Sequence, residues 1–165
     1  YAVLETSLGW FGVLATHIGI RRIVLPKGTA IDAVTGLGPQ LDKAQLDQTR
    51  FRDLGTQIDK YLNGALKSFT IPMDIDNYSP FFLRAWEACS SIPFGETRSY
   101  RWLATHAGNA SALRAAGQAM ARNPLPLLIP CHRVISSNGD LHGYVGGLDM
   151  KRHLLGLEWQ VTSAI

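Results

Sequence analysis

A cysteine and a histidine stand side by side between two apolar runs, and together these residue types can carry nucleophilic chemistry. The segment runs from Leu127 to Ile135 and contains Cys131 and His132, followed directly by Arg133. A thiolate is a strong nucleophile, and a neighbouring imidazole can take the thiol proton. The flanking apolar residues predict a short buried strand. Because burial raises the pKa of a thiol, a reactive cysteine here needs a base or a cation, and His132 and Arg133 are the nearest candidates.

Cys131 also fits an inert core position, because free cysteine is among the most buried residue types. A charged Arg133 and a titratable His132 are unusual in a strand that is only buried core, and this favours a nucleophilic role for Cys131. Glu158 is a candidate carboxylate for orienting the imidazole. Since consecutive side chains of a strand point to opposite faces, we expect His132 to reach the thiol through a bridging water.

The second cysteine, Cys89, is predicted to be a core residue, because it shares a helix face with Phe82, Ala85 and Trp86. Two cysteines permit one disulfide but no disulfide framework. The five histidines and two cysteines show neither a C-x-x-C nor an H-x₃-H pair. This spacing argues against a zinc site, so we expect no metal.

Length and composition indicate a globular protein of one domain or two small ones. The chain has 165 residues, of which 46% are hydrophobic. No apolar run approaches the roughly 18 residues that span a bilayer, and the first residues lack the layout of a signal peptide. We therefore expect no membrane contact and an intracellular location, cytoplasmic, or nuclear in a eukaryote.

The formal charge of +3 is unevenly distributed. Residues 1–78 carry eight basic and eight acidic side chains, whereas residues 79–165 carry eight and five. Five arginines fall between Ala88 and Gly139, where Glu96 is the one acidic residue: Arg98, Arg101, Arg114, Arg122 and Arg133. This cluster would attract phosphate, although charge alone also fits an ordinary solvated surface.

The first part of the chain is predicted to form a small antiparallel sheet with a helix. Residues 4–17 and 19–25 have the composition of strands, with a turn at residues 7–9. Apolar positions within residues 41–62 recur at helical spacing, and residues 69–75 predict another strand. We find no candidate catalytic residue up to position 78 and predict a domain boundary between residues 78 and 79.

The second part is predicted to be mostly helical, which makes the overall class α+β. Ser79 and Pro80 are typical of a helix start. Residues 99–106 and 110–122, joined by a turn at 107–109, predict a helix-turn-helix. The second of these helices is rich in alanine and glycine, so another backbone could approach it closely. Asp149 is predicted to cap a final helix.

The run Pro130–Val134 resembles the active-site signature of the O6-alkylguanine-DNA alkyltransferases, which transfer an alkyl group from guanine to their own cysteine. Further motifs match this family in its order: Ile92–Tyr100, Arg114–Gly117, Asn123–Pro126 and Gly143–Gly147. The resemblance is strong from about Ser79 to Glu158 and weak before that. It implies a supporting ribonuclease-H-like sheet at residues 1–78 and a winged-helix-like DNA-binding domain at residues 79–165.

The resemblance also implies roles for individual residues. By this resemblance, five residues are expected to act in catalysis: Cys131, His132, Glu158, Tyr100 and Lys151. DNA contacts are carried over to Ser99, Tyr100, Arg114, Ala115, Gly117 and Arg133. The pocket for the alkylated base is carried over to Met120, Pro126, Val134, Tyr144, Val145 and Gly146. Asn123 is implied as a hinge between the DNA-reading helix and the cysteine. A departure from the family is Leu113, where many relatives have a small residue.

By this resemblance the partner is double-stranded DNA containing O6-alkylguanine, bound from the minor groove by a monomer without a cofactor. The alkylated base must leave the stack because the guanine O6 faces its pairing partner. Two other classes stay open. A non-catalytic damage-binding protein would carry a different residue in place of Cys131, and a cysteine hydrolase would need an oxyanion hole and repeated turnover. Activity on O4-alkylthymine and the range of alkyl groups are not determined by the sequence.

Overall fold

A computed structural model describes residues 1–164, which divide into two compact units. The first unit runs from Tyr1 to Asp74, and the second begins at Ile75. The strands are β1 (Ala2–Thr6), β2 (Gly9–Ala15), β3 (Ile20–Lys27), β4 (Arg98–Ser99) and β5 (Val134–Ile135). The α-helices are α1 (Ala30–Thr35), α2 (Arg52–Leu62), α3 (Pro80–Ser90), α4 (Tyr100–His106), α5 (Leu113–Ala121) and α6 (Leu148–Ser163). The predicted α+β class is confirmed.

The sheet of the first unit is the predicted antiparallel meander, with the strand order β1-β2-β3. Buried and exposed residues hardly alternate in its central strand, β2, in which residues 11–14 are all buried. Helix α1, which the sequence did not predict, packs on β2 at Gly12. A Cβ atom at Gly12 would collide with the carbonyl group of Ala33, so the helix lies this close only because the residue is glycine.

The helix predicted within residues 41–62 is shorter than expected. A 3-10 helix covers Gly38–Lys43, and α2 starts only at Arg52. Between them the Asp47 carboxylate accepts hydrogen bonds from the backbone N–H groups of Thr49 and Arg50, which holds the chain in a turn. The predicted apolar stripe of α2 is confirmed, since Leu54, Ile58 and Tyr61 are buried.

The strand predicted at residues 69–75 was wrong. This segment pairs with β3 through a single parallel bridge between Ile20 and Met73, flanked by hydrogen bonds of Ile20 to Pro72 and Asp74. Pro72 has no N–H group to extend a ladder. The Asp74 side chain instead binds Thr16 and Arg21, which fastens the end of the first unit to its sheet.

The second unit contains the predicted helix-turn-helix. Ser79 caps α3 by accepting a hydrogen bond from the N–H group of Phe82, as its position before Pro80 indicated. Helix α5 begins at Leu113, later than expected, because the Asn109 side chain binds Ser111 and holds a turn there. Helix α3 is joined to α5 by a hydrogen bond of 2.9 Å from the Trp86 indole to the Ala119 carbonyl group.

The buried strand predicted around the cysteine is mostly wrong. Cys131–Arg133 form one turn of 3-10 helix, and only Val134–Ile135 are extended, pairing in parallel with β4. Pro130, which precedes the turn, cannot donate to a strand ladder. Helix α6 follows with Gly147 at its N-cap position, so the predicted cap Asp149 was wrong, and Asp149 lies in the first turn of the helix. In residues 1–164 no helix is long and apolar enough to cross a membrane.

Candidate active site

The 3-10 turn changes the direction in which Cys131 and its neighbours point. The N–H group of Arg133 bonds to the carbonyl oxygen of Pro130 at 2.9 Å, which closes the turn. Consecutive side chains in such a turn diverge by about 120° instead of alternating between two faces. Cys131, His132 and Arg133 are all buried, and Cys131 is only 2% exposed.

Asn123 contacts the thiol directly. Its Nδ2 lies 3.0 Å from Cys131 Sγ and 2.9 Å from the carbonyl oxygen of Ile129. Its Oδ1 accepts a hydrogen bond of 2.9 Å from the N–H group of Leu125, so both ends of the buried amide are bound. Sequence reasoning assigned Asn123 a hinge role and missed this contact. The available signal was an asparagine just beyond the end of α5, followed by an apolar segment in which it is the one side chain with an amide donor.

The surroundings of Cys131 favour the neutral thiol. Burial raises its pKa to about 11, even though the Asn123 amide and the charge of Lys151 act in the opposite direction. At neutral pH the sulfur therefore carries its proton, and nucleophilic attack requires a base.

His132 is the base that the fold provides. Its Nε2 lies 2.8 Å from Glu158 Oε1, and both side chains are buried. Burial lowers the pKa of His132, and the bond to Glu158 opposes this shift. The imidazole is then neutral and donates from Nε2 to the carboxylate, which leaves Nδ1 as its basic nitrogen. The structure thus brings together the predicted pair His132 and Glu158.

The Glu158 carboxylate also binds Arg133. Arg133 Nε and Nη2 each lie 3.0 Å from a Glu158 oxygen, and Nη1 donates to the carbonyl oxygen of Ile92 at 2.7 Å. The Gly95 N–H group donates to Glu158 Oε2 at 2.9 Å. Although burial alone would raise the pKa of Glu158, the hydrogen bonds from His132 and Arg133 lower it to about 2.

Arg133 was predicted to contact DNA, and this was wrong. Its side chain is 7% exposed, and its guanidinium group is held inside the protein by Glu158. In a strand that alternates between two faces, Arg133 would have pointed away from His132. The 3-10 turn directs both toward the same carboxylate. Arg133 therefore does not belong to the basic surface that the sequence predicted.

Tyr100 and Lys151 share a hydrogen-bond acceptor, the carbonyl oxygen of His142. Lys151 Nζ donates to the carbonyl oxygens of Val134 at 2.7 Å and His142 at 3.2 Å, and it lies 6.0 Å from the centre of the Tyr100 ring. The Tyr100 hydroxyl donates to the same His142 carbonyl at 3.4 Å. Burial raises the pKa of Tyr100 and lowers that of Lys151. Tyr100 is therefore a neutral proton donor at physiological pH.

A cleft of about 550 Å³ opens beside these residues. Its walls come from α4, α5 and the loop before α6: Tyr100, Leu113, Gly117, Ala121, Ser136, His142, Gly143, Tyr144 and Val145. Of the predicted base-pocket residues, Tyr144 and Val145 line the cleft. Met120, Pro126 and Val134 are buried and do not line it, and Gly146 is exposed next to Val145.

The predicted DNA-contacting residues of α5 lie at its surface. Arg114 is exposed and Ala115 is half-buried, while a Cβ atom at Gly117 would meet no heavy atom within 4 Å. The surface of α5 at Gly117 is therefore not covered by neighbouring side chains. Ser99 has a structural role, since its hydroxyl accepts the N–H group of Trp102 at 3.1 Å and caps α4.

Within the part of the chain that the structure describes, no group of three or more His, Cys, Asp and Glu side chains could hold a metal ion.

Comparison with known proteins identifies two family domains. Residues 1–75 match the domain described as 6-O-methylguanine DNA methyltransferase, ribonuclease-like domain. Residues 80–160 match the DNA binding domain of the same family. The predicted ribonuclease-like character of the first part is consistent with this match.

Two Methanosarcina proteins are similar to this chain over nearly their whole length. The methylated-DNA–protein-cysteine methyltransferase of Methanosarcina acetivorans is 37% identical over 96% of this chain and 97% of its own. That of Methanosarcina barkeri is 44% identical over 96% of both chains. Among solved structures, Mycobacterium tuberculosis OGT in complex with DNA has a TM-score of 0.83 at 30% identity, covering 97% of this chain and 92% of that one.

Proposed function

Because the chain belongs to the 6-O-methylguanine DNA methyltransferase family, we propose that Cys131 accepts the alkyl group from O6-alkylguanine in duplex DNA, once per molecule. The observation that carries this proposal is a buried thiol in contact with Asn123, next to a neutral imidazole bound to Glu158. The predicted family is confirmed, and its activity is methylated-DNA–protein-cysteine methyltransferase.

The reaction starts with removal of the thiol proton. His132 Nδ1 takes the proton from Cys131 through a bridging water, and Glu158 stabilises the resulting imidazolium through Nε2. The Asn123 amide then donates to a thiolate, and such a charge-assisted hydrogen bond is roughly twice as strong as a neutral one. Asn123 opposes the rise in pKa that burial imposes on the sulfur, and His132 is the base that the remaining rise makes necessary.

Alkyl transfer then follows as an in-line displacement. The Cys131 thiolate attacks the alkyl carbon, the bond from this carbon to O6 breaks, and guanine leaves with the electron pair. Tyr100 can donate the proton that guanine requires, since burial raises its pKa and keeps the hydroxyl protonated. The Lys151 ammonium group, 6.0 Å from the Tyr100 ring, supplies positive charge beside the departing anion.

The product explains why the reaction stops after one turnover. A thioether carbon has no carbonyl group that a hydroxide could attack, so water does not regenerate the thiol as it does from an acyl-enzyme. The protein is then consumed stoichiometrically. A cysteine hydrolase would behave differently, since it would release product over many cycles.

DNA recognition is assigned to α5 and the cleft. A base that leaves the stack can enter the cleft between Tyr100 and Val145. The bare surface at Gly117 allows close approach to the minor groove, and the exposed Arg114 can fill the gap left in the duplex. Since every group in this scheme comes from one chain, a monomer is sufficient.

The decisive experiment is an intact-mass spectrum after mixing the protein with a duplex that carries a single O6-methylguanine. One methyl group should be gained per protein molecule, on the peptide that contains Cys131 and not on the one with Cys89. Cys131→Ala should still bind the duplex but gain no mass, whereas Cys89→Ala should react. Repeated turnover on excess duplex, or a methyl group on Cys89, would overturn the proposal.

A further inference from the structure

Building on the alkyl transfer proposed above, we propose that Arg133 is a positioning residue that keeps His132 able to accept a proton by balancing the charge of Glu158. This role differs from the DNA contact that the sequence suggested for Arg133. It also assigns a function to the turn at residues 92–95, which holds the guanidinium group.

The three side chains form a fixed array around one carboxylate. Glu158 Oε1 accepts from His132 Nε2 at 2.8 Å and from Arg133 Nη2 at 3.0 Å. Arg133 Nε lies 3.0 Å from Glu158 Oε2. The carboxylate thus lies between a permanent cation and a group that becomes a cation during the reaction.

Charge balance matters because the array is dry. The side-chain exposures of His132, Glu158 and Arg133 are 0%, 1% and 7%. An anion 2.8 Å from an imidazole strongly favours the imidazolium form when no water screens it. An imidazole that is already protonated cannot take the proton of Cys131. A second cation on the same carboxylate weakens this bias while the carboxylate still fixes the orientation of the ring.

The turn at residues 92–95 prevents Arg133 from leaving the array. Arg133 Nη1 donates to the Ile92 carbonyl at 2.7 Å, and the guanidinium carbon lies 5.7 Å from the centre of the Phe94 ring. The Gly95 N–H group binds the same carboxylate at 2.9 Å. The turn therefore contacts both members of the ion pair, and it does so without adding a charge of its own.

The other charged or titratable groups around His132 are few. Helix α6 contributes Glu158 and the buried Lys151, and the positive charge of Lys151 acts on His132 in the same direction as that of Arg133. Helix α3, which packs against the 3-10 turn, contributes the buried thiol of Cys89. The ring of Tyr144 presents an edge-on contact, with its centre 6.4 Å from that of His132.

The proposal is tested by titrating the His132 imidazole by NMR in a Cys131→Ser background, which removes the reactive thiol. Arg133→Met, which has no charge, should raise the pKa of His132 by about one unit or more. Arg133→Lys keeps the charge and should leave the pKa of His132 close to its original value. In the protein that retains Cys131, Arg133→Met should slow alkyl transfer at pH 7. The decline of the transfer rate at low pH should also begin at a higher pH.

Glu158→Gln provides the matched background. It should lower the pKa of His132, and adding Arg133→Met to it should raise the pKa again. The double variant lacks both charges of the ion pair. It therefore avoids the unpaired buried carboxylate that can prevent Arg133→Met from folding, and it still reports the effect of Arg133 on the pKa of His132. A purely structural role for Arg133 would change stability and rate but would leave the titration of His132 unmoved.

An unchanged pKa of His132 on removal of the arginine charge, in either background, would overturn the proposal. That result is distinguishable from failure of the proposed function. If the protein transferred no methyl group, the mass experiment would show it, whereas the titration reads the effect of Arg133 without any reaction.

Discussion

The amide of Asn123 and the sulfur of Cys131 are in direct contact, with Nδ2 3.0 Å from Sγ. The same Nδ2 atom also binds the Ile129 carbonyl oxygen, so Asn123, just beyond the end of α5, is bonded both to the segment that precedes the nucleophile and to the nucleophile itself. This contact is one of the influences that lower the thiol pKa against the effect of burial.

Replacing Asn123 should make the thiol less acidic. Asn123→Ala removes a hydrogen bond to the thiolate worth about 1.5–3 kcal/mol, which corresponds to a rise of about one unit or more in the pKa of Cys131. The pH dependence of Cys131 alkylation by iodoacetamide, followed by peptide mass, measures this shift. Asn138→Ala is the control, because Asn138 is an exposed asparagine that binds Asp140 in a surface turn. An unchanged pKa of Cys131 in Asn123→Ala would contradict the assignment.

Arg114 is expected to support the extrahelical base rather than simply to attract DNA. Arg114→Ala should slow methyl transfer from duplex DNA by about tenfold or more, because only this reaction includes unstacking. Transfer from the free alkylated base should be nearly unaffected. Arg122→Ala, which removes an exposed arginine at the other end of α5, should weaken duplex binding without this selective loss of rate. Equal slowing on duplex and free base would count against the role of Arg114.

Acid should destabilise the protein through Glu158. Its pKa is about 2 in the folded protein against an ordinary value of 4.5. A carboxyl group whose pKa is lowered by folding stabilises the fold fully above pH 4.5, and this contribution is lost as the pH falls toward 2. Its size is on the order of 3 kcal/mol. Folding also lowers the pKa of His132, so the unfolded protein binds a proton that the folded protein does not. Stability is therefore lost here too as the pH falls, beginning near the ordinary His132 value of 6.5.

Urea unfolding at a series of pH values measures this acid loss of stability. Glu158→Gln should lower the stability at pH 7 and remove most of the decline below pH 4.5. Glu96→Gln, which changes an exposed glutamate, should retain the decline. If Glu158→Gln declined as steeply as the original protein, the source of the acid sensitivity would lie elsewhere.

Gly95 is expected to be sensitive both to backbone strain and to crowding. It has a φ of +82°, and a Cβ atom there would collide with the side chain of Thr162 on α6. Gly95→Ala should therefore cost about 1–2 kcal/mol for the left-handed backbone and about 1–3 kcal/mol more for the collision. Thermal or urea unfolding gives the value.

Gly139→Ala separates the two effects. Gly139 has a φ of +87°, but a Cβ atom there would meet no heavy atom within 4 Å. It should show the backbone cost alone. Adding Thr162→Ala to Gly95→Ala should recover the part due to the collision. Equal costs at the two glycines would show that Thr162 does not crowd the turn.

Patterns that are local in the sequence were sufficient to predict much of the fold. Strand-like composition and a turn at residues 7–9 predicted the first hairpin, and Ser79 with Pro80 predicted the start of α3. Helical spacing predicted that Cys89 is buried, and it is fully so. These predictions succeed because the information lies in residues within one or two turns of each other. They failed where a side chain altered the backbone, as at Asp47, or where a proline withheld a donor, as at Pro72.

The sequence alone also identified Cys131, His132 and Glu158 as members of one site, through residue chemistry and family resemblance. Only the tertiary structure decided how charges are paired within it. Arg133 was expected at DNA from the family resemblance, and its partner Glu158 lies 25 residues further along the chain. The 3-10 turn at Cys131 and the packing of α6 bring the two together. In a dry interior an unpaired charge is so costly that the nearest opposite charge determines where the side chain points, and that neighbour is set by the fold.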